Sequence, residues 1–419
     1  MNNEKGRGFY GWWLVVGCFF LTFAGIGVPI NCTPVFLKPV TEALGFMRED
    51  FSQIITIAML CAMFAAPLMG KLMSKYNMRV IMTISTTVLA VALFLFSQCR
   101  TLSQFYLCAF FVGIGSAGTH VIPVSMMITN WFKEKRGLAM AIALTGSAVG
   151  GLSLVPLTNW LITNNGWQNA FQVLAVVLAI CTIPISMFLV RRSPSDMGLL
   201  PLGETQESIS GPAAELTGLT IGEAVKTSGF WLLGITLFIT GFVNFGVAQH
   251  IIAYLQDVGH KAVFASNIFA VYMGVLIIGK IILGRISDAS LKSGIVFIWL
   301  VSALSTVCLL FAQNPMIAIV FGVLFGIANA SMTVPPPLLT AGIFGQKDYG
   351  TVYGAMNIFV TLGAGLGTKI SGRIFDANGG YSLAWQAYTI LAIVVIITGL
   401  LAVSRGQAKL ASVEKNLAA

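Results

Sequence analysis

Lys280 is the one basic side chain that falls clearly inside an apolar run of this chain, four residues ahead of Gly284. A charge at that depth costs about 2.5–3.5 kcal/mol to insert. Either the lysine stem snorkels its ammonium toward the nearer membrane face, or the ammonium faces a cavity and pairs with an anion. His120 lies in another apolar run, three residues before Pro123. It reads either as a core histidine bonded to a neighbouring helix or as a ligand or proton carrier, histidine being the side chain that changes charge near neutral pH. None of the fifteen acids lies at mid-depth of an apolar run; Asp257, Asp288 and Asp376 stand at run ends. A membrane site for cations would keep a buried carboxylate, so anions or neutral molecules are the expected ligands. An ammonium and a carboxylate about 4 Å apart attract by roughly 1 kcal/mol in water and about 4 at an effective dielectric near 20. Millimolar binding needs only about 4 kcal/mol, so one charge and a few hydrogen bonds can hold a carboxylate and still release it. Tyr353, Asn357 and Asn31 are the candidate donors of those hydrogen bonds, with packing as the alternative for each.

Other chemistries lack their parts. Of the three histidines, His250 and His260 stand together at one run end, and no nucleophile with a base or set of convergent acids accompanies them, so an enzyme is not expected. No glycine-rich loop ends in Lys-Ser or Lys-Thr, which removes ATP-driven transport. The seven cysteines are scattered singly along the chain, without the close sequence pairs of metal sites or disulfide frameworks, and read as small buried hydrophobes. No metal or cofactor is expected.

The elements that carry these residues follow from composition. The 419 residues are 57% hydrophobic and 9% charged, against roughly 25% charged in soluble domains. Crossing the hydrocarbon takes about 20 mostly apolar residues. Twelve such windows occur, near 10–36, 51–71, 79–97, 104–129, 137–160, 168–190, 228–252, 263–284, 294–312, 316–340, 350–370 and 383–403. The N-terminal run lacks a cleavage signature and reads as a retained first span. Between the sixth and seventh windows, 191–227 opens with Arg191-Arg192 and turns to Ser, Gly, Pro and Glu, a polar linker. The predicted organisation is a six-helix bundle over 1–190, the linker, a second bundle over 228–405 and a tail over 406–419.

With both termini inside, seventeen of the 24 Lys and Arg fall in cytoplasmic segments, among them Lys5, Arg7 and Lys133. Six, Lys38, Arg48, Arg100, Lys261, Lys369 and Arg373, fall outside. That imbalance obeys the positive-inside rule, so the formal charge of +9 reports topology and not a nucleic-acid partner. A monomer in a plasma membrane or bacterial inner membrane is expected, its partners being lipid, a small carboxylate, and protons or a counter-anion. The two halves echo each other: Gly70-Lys71-Leu72-Met73-Ser74-Lys75 follows the second window, Gly284-Arg285-Ile286-Ser287-Asp288 the eighth. Prolines inside windows (Pro29, Pro34, Pro67, Pro123, Pro156 and Pro335-Pro336-Pro337) predict kinks. Gly146, Gly150 and Gly151, with Gly354, Gly363, Gly365 and Gly367, predict close helix approach.

The loop before the third window resembles the signature of the major facilitator superfamily in Gly70, Leu72, Lys75 and Arg79, departing from it at Ser74, where an acid is usual, and at Asn77, where glycine is usual. Asp288 keeps the acid in the second half. Four stretches resemble more narrowly the monocarboxylate-porter and oxalate/formate-antiporter branch: Tyr10-Gly11-Trp12, Val35-Phe36-Leu37-Lys38-Pro39, Trp131 to Ala139, and Gly166-Trp167-Gln168-Asn169-Ala170-Phe171. In the second half the match thins to Lys280 with Gly284 and to Tyr349-Gly350-Thr351-Val352-Tyr353-Gly354. The resemblance implies an all-α membrane fold of twelve helices in two pseudo-repeated bundles, alternating access and small organic anions as substrates. It implies an anion-binding cation at Lys280, a lysine beside the outer mouth at Lys38, and a gating loop around Gly70, Lys75 and Arg79. The oxalate-specific relatives carry a second lysine at the place of Met356, which favours a monocarboxylate here.

Overall fold

The computed structural model describes residues 9–132, 134–203, 218–345 and 347–418. Lys5, Arg7, Lys133 and linker residues 204–217 lie outside these, as does the side chain of Asp288. The elements are helical: α1 (Tyr10–Ile26), α2 (Thr33–Leu44), α3 (Arg48–Lys75), α4 (Met78–Phe96), α5 (Leu102–Ala117), α6 (Val121–Trp131), α7 (Arg136–Pro184), α8 (Ile221–Ala224), α9 (Ser228–Asp257), α10 (Ala262–Ala289), α11 (Leu291–Leu309), α12 (Pro315–Ala328), α13 (Pro335–Phe344), α14 (Tyr349–Asn378) and α15 (Ser382–Ala418). Hydrocarbon offers no water to spare backbone groups, and helices satisfy theirs internally.

Ten stretches are long and apolar enough to cross a membrane. One of them, Leu138–Leu189, has 52 residues and as a straight helix would be about 78 Å long, far more than the roughly 30 Å of hydrocarbon. It is two spans, because the chain turns at Gly166, whose φ of 80° and ψ of 161° are open to glycine and strained for any side chain. The turn delivers Trp167 and Phe171 into an aromatic cluster with Phe36, Phe96 and Phe105, which explains the Gly166-Trp167 pattern. The twelfth helix of the set is α14, thirty residues whose glycines, threonines and asparagine dilute its apolar character.

Contacts divide the chain into two compact units: Met1–Phe46 with Ile57–Pro212, and Met47–Thr56 with Ala213–Ala419. In the first, α1 lies against the first part of α7. A methyl group at Gly146 or Gly150 would collide with the carbonyl of Phe19 or Phe23, respectively. Thr22 Oγ1 donates to the Ala143 carbonyl at 2.5 Å, and Asn31 Nδ2 to that of Ser147 at 2.9 Å. In the second, α9 lies against α14, and a methyl at Gly363 or Gly367 would collide with the carbonyl of Phe238 or Phe242. Two glycines four residues apart on one helix, facing carbonyls four residues apart on another, occur in both units. The repeat sensed in the loops is therefore built into the helix packing.

The fourth and tenth spans repeat as well. Each is broken, between α5 and α6 and between α12 and α13. A break inside hydrocarbon strands the first N–H groups of the following helix. The two units solve this differently. In the first, His120 caps α6, its Nδ1 accepting from Val121 N at 2.9 Å. In the second, the first residues of α13 are Pro335, Pro336 and Pro337, which have no N–H to strand. Outside the spans, Asp348 joins α8 to α14: the Thr351 hydroxyl and the Ile221 N–H, at 2.9 Å, hold its carboxyl below the usual carboxylate range. That bond is present at neutral pH and is lost as acid protonates the group.

Candidate functional site

In the first unit His120 is buried beside Gly25. Because Nδ1 accepts the Val121 N–H, the ring proton sits on Nε2, and that buried N–H has no partner among the described residues. The cap holds the ring as a fixed hydrogen-bond donor. A second proton, on Nδ1, would set two donors face to face and break the cap. The geometry therefore suits His120 to donating to a ligand and is at odds with its carrying a proton. Asn31 sits in the π-helical turn Gly27–Asn31, where Pro29 interrupts the first span, and its amide N–H already holds α7.

In the second unit Lys280 is half-buried on α10, one residue after Gly279, which presses on the backbone of Gly326 and Ile327 just ahead of the break in the tenth span. Among the described residues nothing forms a hydrogen bond or ion pair with its ammonium. The break also supplies acceptors, because Pro335, Pro336 and Pro337 remove the donors that the carbonyls of Ser331, Met332 and Thr333 would meet in a continuous helix. Beside them, Asn329 Nδ2 donates to Asn244 Oδ1 and Asn244 Nδ2 to Ser331 Oγ, both at 3.2 Å. Tyr353 stacks on Tyr349 with centroids 5.7 Å apart and rings nearly parallel. Asn357 is exposed on α14 and Met356 is fully buried in the unit's core.

Apart from Asp288, the candidate gating residues spread along the first unit. Arg79 donates through Nε to the Val190 carbonyl at 2.7 Å, tying the start of α4 to the end of the sixth span. Asn77, which replaces the usual glycine, caps α4 by accepting from Arg79 N at 3.0 Å. The departure is thus a helix start. Lys75 is exposed with its ammonium 5.5 Å from the Tyr76 ring, and Gly70 has open space around it. Lys38 pairs with Glu42 at 3.9 Å on α2, a contact worth about 0.3–0.5 kcal/mol. The helix of Asp288 is described, its carboxylate not.

A charged cluster that the spacing did not reveal lies in the second unit. Arg48 binds Asp257 through both terminal nitrogens, at 2.5 and 2.9 Å. It donates to the Tyr381 hydroxyl at 2.9 Å and stacks 3.7 Å over the Phe375 ring. Asp376 accepts the backbone N–H groups of Arg48 and Glu49 at the start of α3, where the helix dipole favours a carboxylate. His250 contacts Ser52, Tyr381 and the Thr368 carbonyl. The available signal was the position of Arg48, Asp257, His250 and Asp376 at span ends; nothing local paired them.

The sequence pattern of the Major Facilitator Superfamily matches residues 13–289 and 257–416. Monocarboxylate transporter 13 of Rattus norvegicus is 25% identical over 393 residues, 92% of this chain and 87% of that protein. The agnestins efflux protein AgnL12 of Paecilomyces divaricatus is 24% identical over 404 residues, 94% of this chain and 88% of that one. A bacterial homologue of the human lysosomal transporter Spinster matches with a TM-score of 0.74 at 15% identity, covering 97% of this chain and 99% of its own.

Proposed function

The chain belongs to the Major Facilitator Superfamily and is a multi-pass membrane transport protein, and from that premise we propose that it carries a small monocarboxylate by alternating access, in symport with a proton. The observation that carries this reading is Lys280: an ammonium inside a span, without an ion-pair partner among the described residues, is stabilised by an anionic cargo. The name of the rat relative supports the same class. In this reading Lys280 takes the carboxylate, and the Nε2–H of His120 donates to a second acceptor of the substrate. Tyr353, Asn357 and Asn31 give weaker polar contacts, while Lys38, Gly70, Lys75, Arg79 and Asp288 serve entry and gating. The proton travels with Lys280 or on the substrate's own carboxyl, since the cap commits His120 to a single ring proton. A single cation suits one carboxylate, whereas oxalate would leave a second charge unmatched.

The test is uptake of labelled lactate, acetate, formate and oxalate into liposomes holding the purified protein, with and without an inward proton gradient, beside Lys280→Gln. Gradient-stimulated monocarboxylate entry that falls at least tenfold in the variant is the expected result. Entry that requires a trans anion would replace symport by exchange. Absence of carboxylate flux, or flux indifferent to Lys280→Gln, would overturn the anion site. The efflux protein among the relatives favours the second reading, export of drug-like neutral or cationic compounds; competition of uptake by such compounds and not by carboxylates would select it.

A further inference from the structure

The seven cysteines do not all stay apart once the chain is folded. Cys99, in the turn that joins α4 to α5, has its Sγ 3.8 Å from Sγ of Cys108, one and a half turns into α5. Both are buried. We propose that Cys99 and Cys108 form a redox-responsive pair that closes to a disulfide on the non-cytoplasmic face.

The turn holds the two thiols in register. Gln104 Oε1 accepts the N–H groups of Arg100 and Thr101 at 2.8 and 3.2 Å, and Gln172 Nε2 from the sixth span reaches Ser97 Oγ at 3.3 Å. The Arg100 guanidinium donates to the Cys99 carbonyl at 3.3 Å and brings positive charge to the turn, but the contact with Cys108 and burial push the Cys99 thiol well above its ordinary value. Closure therefore rests on the approach of the two sulfurs and on the external oxidant. A disulfide needs its sulfurs about 2.05 Å apart, so the pair at 3.8 Å is the reduced form and the two side chains must move together for the bond to form. The charge distribution along the sequence puts this turn, with Arg100, on the outer side of the membrane, where thiols meet oxidants rather than the reducing cytosol. The balanced step is disulfide exchange. One thiolate attacks an external disulfide and expels a thiolate. The second cysteine then displaces the remaining external half, so two protein thiols are oxidised while one external disulfide is reduced to two thiols. The rival reading, two small apolar side chains packed together, predicts no bond.

The experiment uses the full-length protein purified from membranes, equilibrated with oxidised glutathione, denatured in detergent and treated with a maleimide of fixed added mass. Five of the seven cysteines are expected to react, and all seven after prior reduction, with a peptide linking Cys99 to Cys108 recovered from the oxidised sample. Cys99→Ser leaves Cys108 without a partner, so at most the one thiol held as a mixed disulfide with glutathione is expected to be protected. All six of its cysteines are expected to react after reduction, and no peptide linking position 99 to Cys108 is recovered. Seven reactive thiols in the oxidised wild type, or an unchanged number of protected thiols in Cys99→Ser, would overturn the pairing.

Discussion

At the scale of single residues, His120 shows how one ring can carry structure and chemistry together. Its Nδ1 caps α6, and an N-cap side chain is worth about 1 kcal/mol when replaced by alanine. His120→Ala is therefore expected to lower stability in a thermal-unfolding series by about that amount. His120→Asn, which keeps a capping acceptor, is expected to recover most of it. Equal losses in the two variants would show that the buried ring, not the cap, carries the stability. Asn77 at the signature loop is the parallel case, since a departure from the family pattern there becomes the cap of α4.

Among elements, the decisive contacts are between α1 and α7 and between α9 and α14. Lipid tails are as apolar as leucine, so these pairs are held by close fit and by hydrogen bonds to carbonyls, not by escape from water. Gly146, Gly150, Gly363 and Gly367 leave no room for a methyl group. Overpacking costs about 1–3 kcal/mol, so Gly363→Ala is expected to lower the unfolding midpoint in detergent. Gly354→Ala, at a glycine with open space on α14, is the control and is expected to be near neutral. The predicted close approach thus holds at Gly363 and Gly367 and not at Gly354. Broken spans belong to the same scale: a histidine cap in one unit and three prolines in the other remove the orphan donors that a break creates.

For the whole molecule, charge is sparse, and one enclosed group of it is paired. Arg48 and Asp257, with side chains only 9% and 21% exposed, form an ion pair more enclosed than Lys38–Glu42 or Lys369–Glu49, and the first nine residues of α3 belong to the same unit as Asp257. Breaking such a pair from one side strands a charge and costs about 3–5 kcal/mol, whereas replacing both partners by apolar groups can be neutral. Asp257→Asn is accordingly expected to destabilise the protein strongly, and Arg48→Met combined with Asp257→Leu much less. Denaturant or thermal unfolding of the three proteins measures the difference, and additive losses would show that the pair does not act as a unit.

The sequence by itself determined the span pattern, the one-sided excess of Lys and Arg in the loops, and the presence of a lone cation at Lys280. Each is written locally, because the hydrocarbon demands about 20 apolar residues in a row and penalises every charge within them. The break between the fifth and sixth windows and the kink at the Pro335 triplet were legible for the same reason, since backbone conformation is dictated within a few residues, whereas the placing of that break at Gly166 came from the structure. Only the tertiary structure decided which distant groups meet. Asp257 lies 209 residues beyond Arg48, and Tyr381 lies 333 beyond it. The two thiols on neighbouring helices and the glycines facing particular carbonyls were likewise settled by packing. The donor direction of His120 needed the position of one neighbouring N–H. A side chain's partner is chosen by helix packing in three dimensions, and no spacing along one chain encodes that choice.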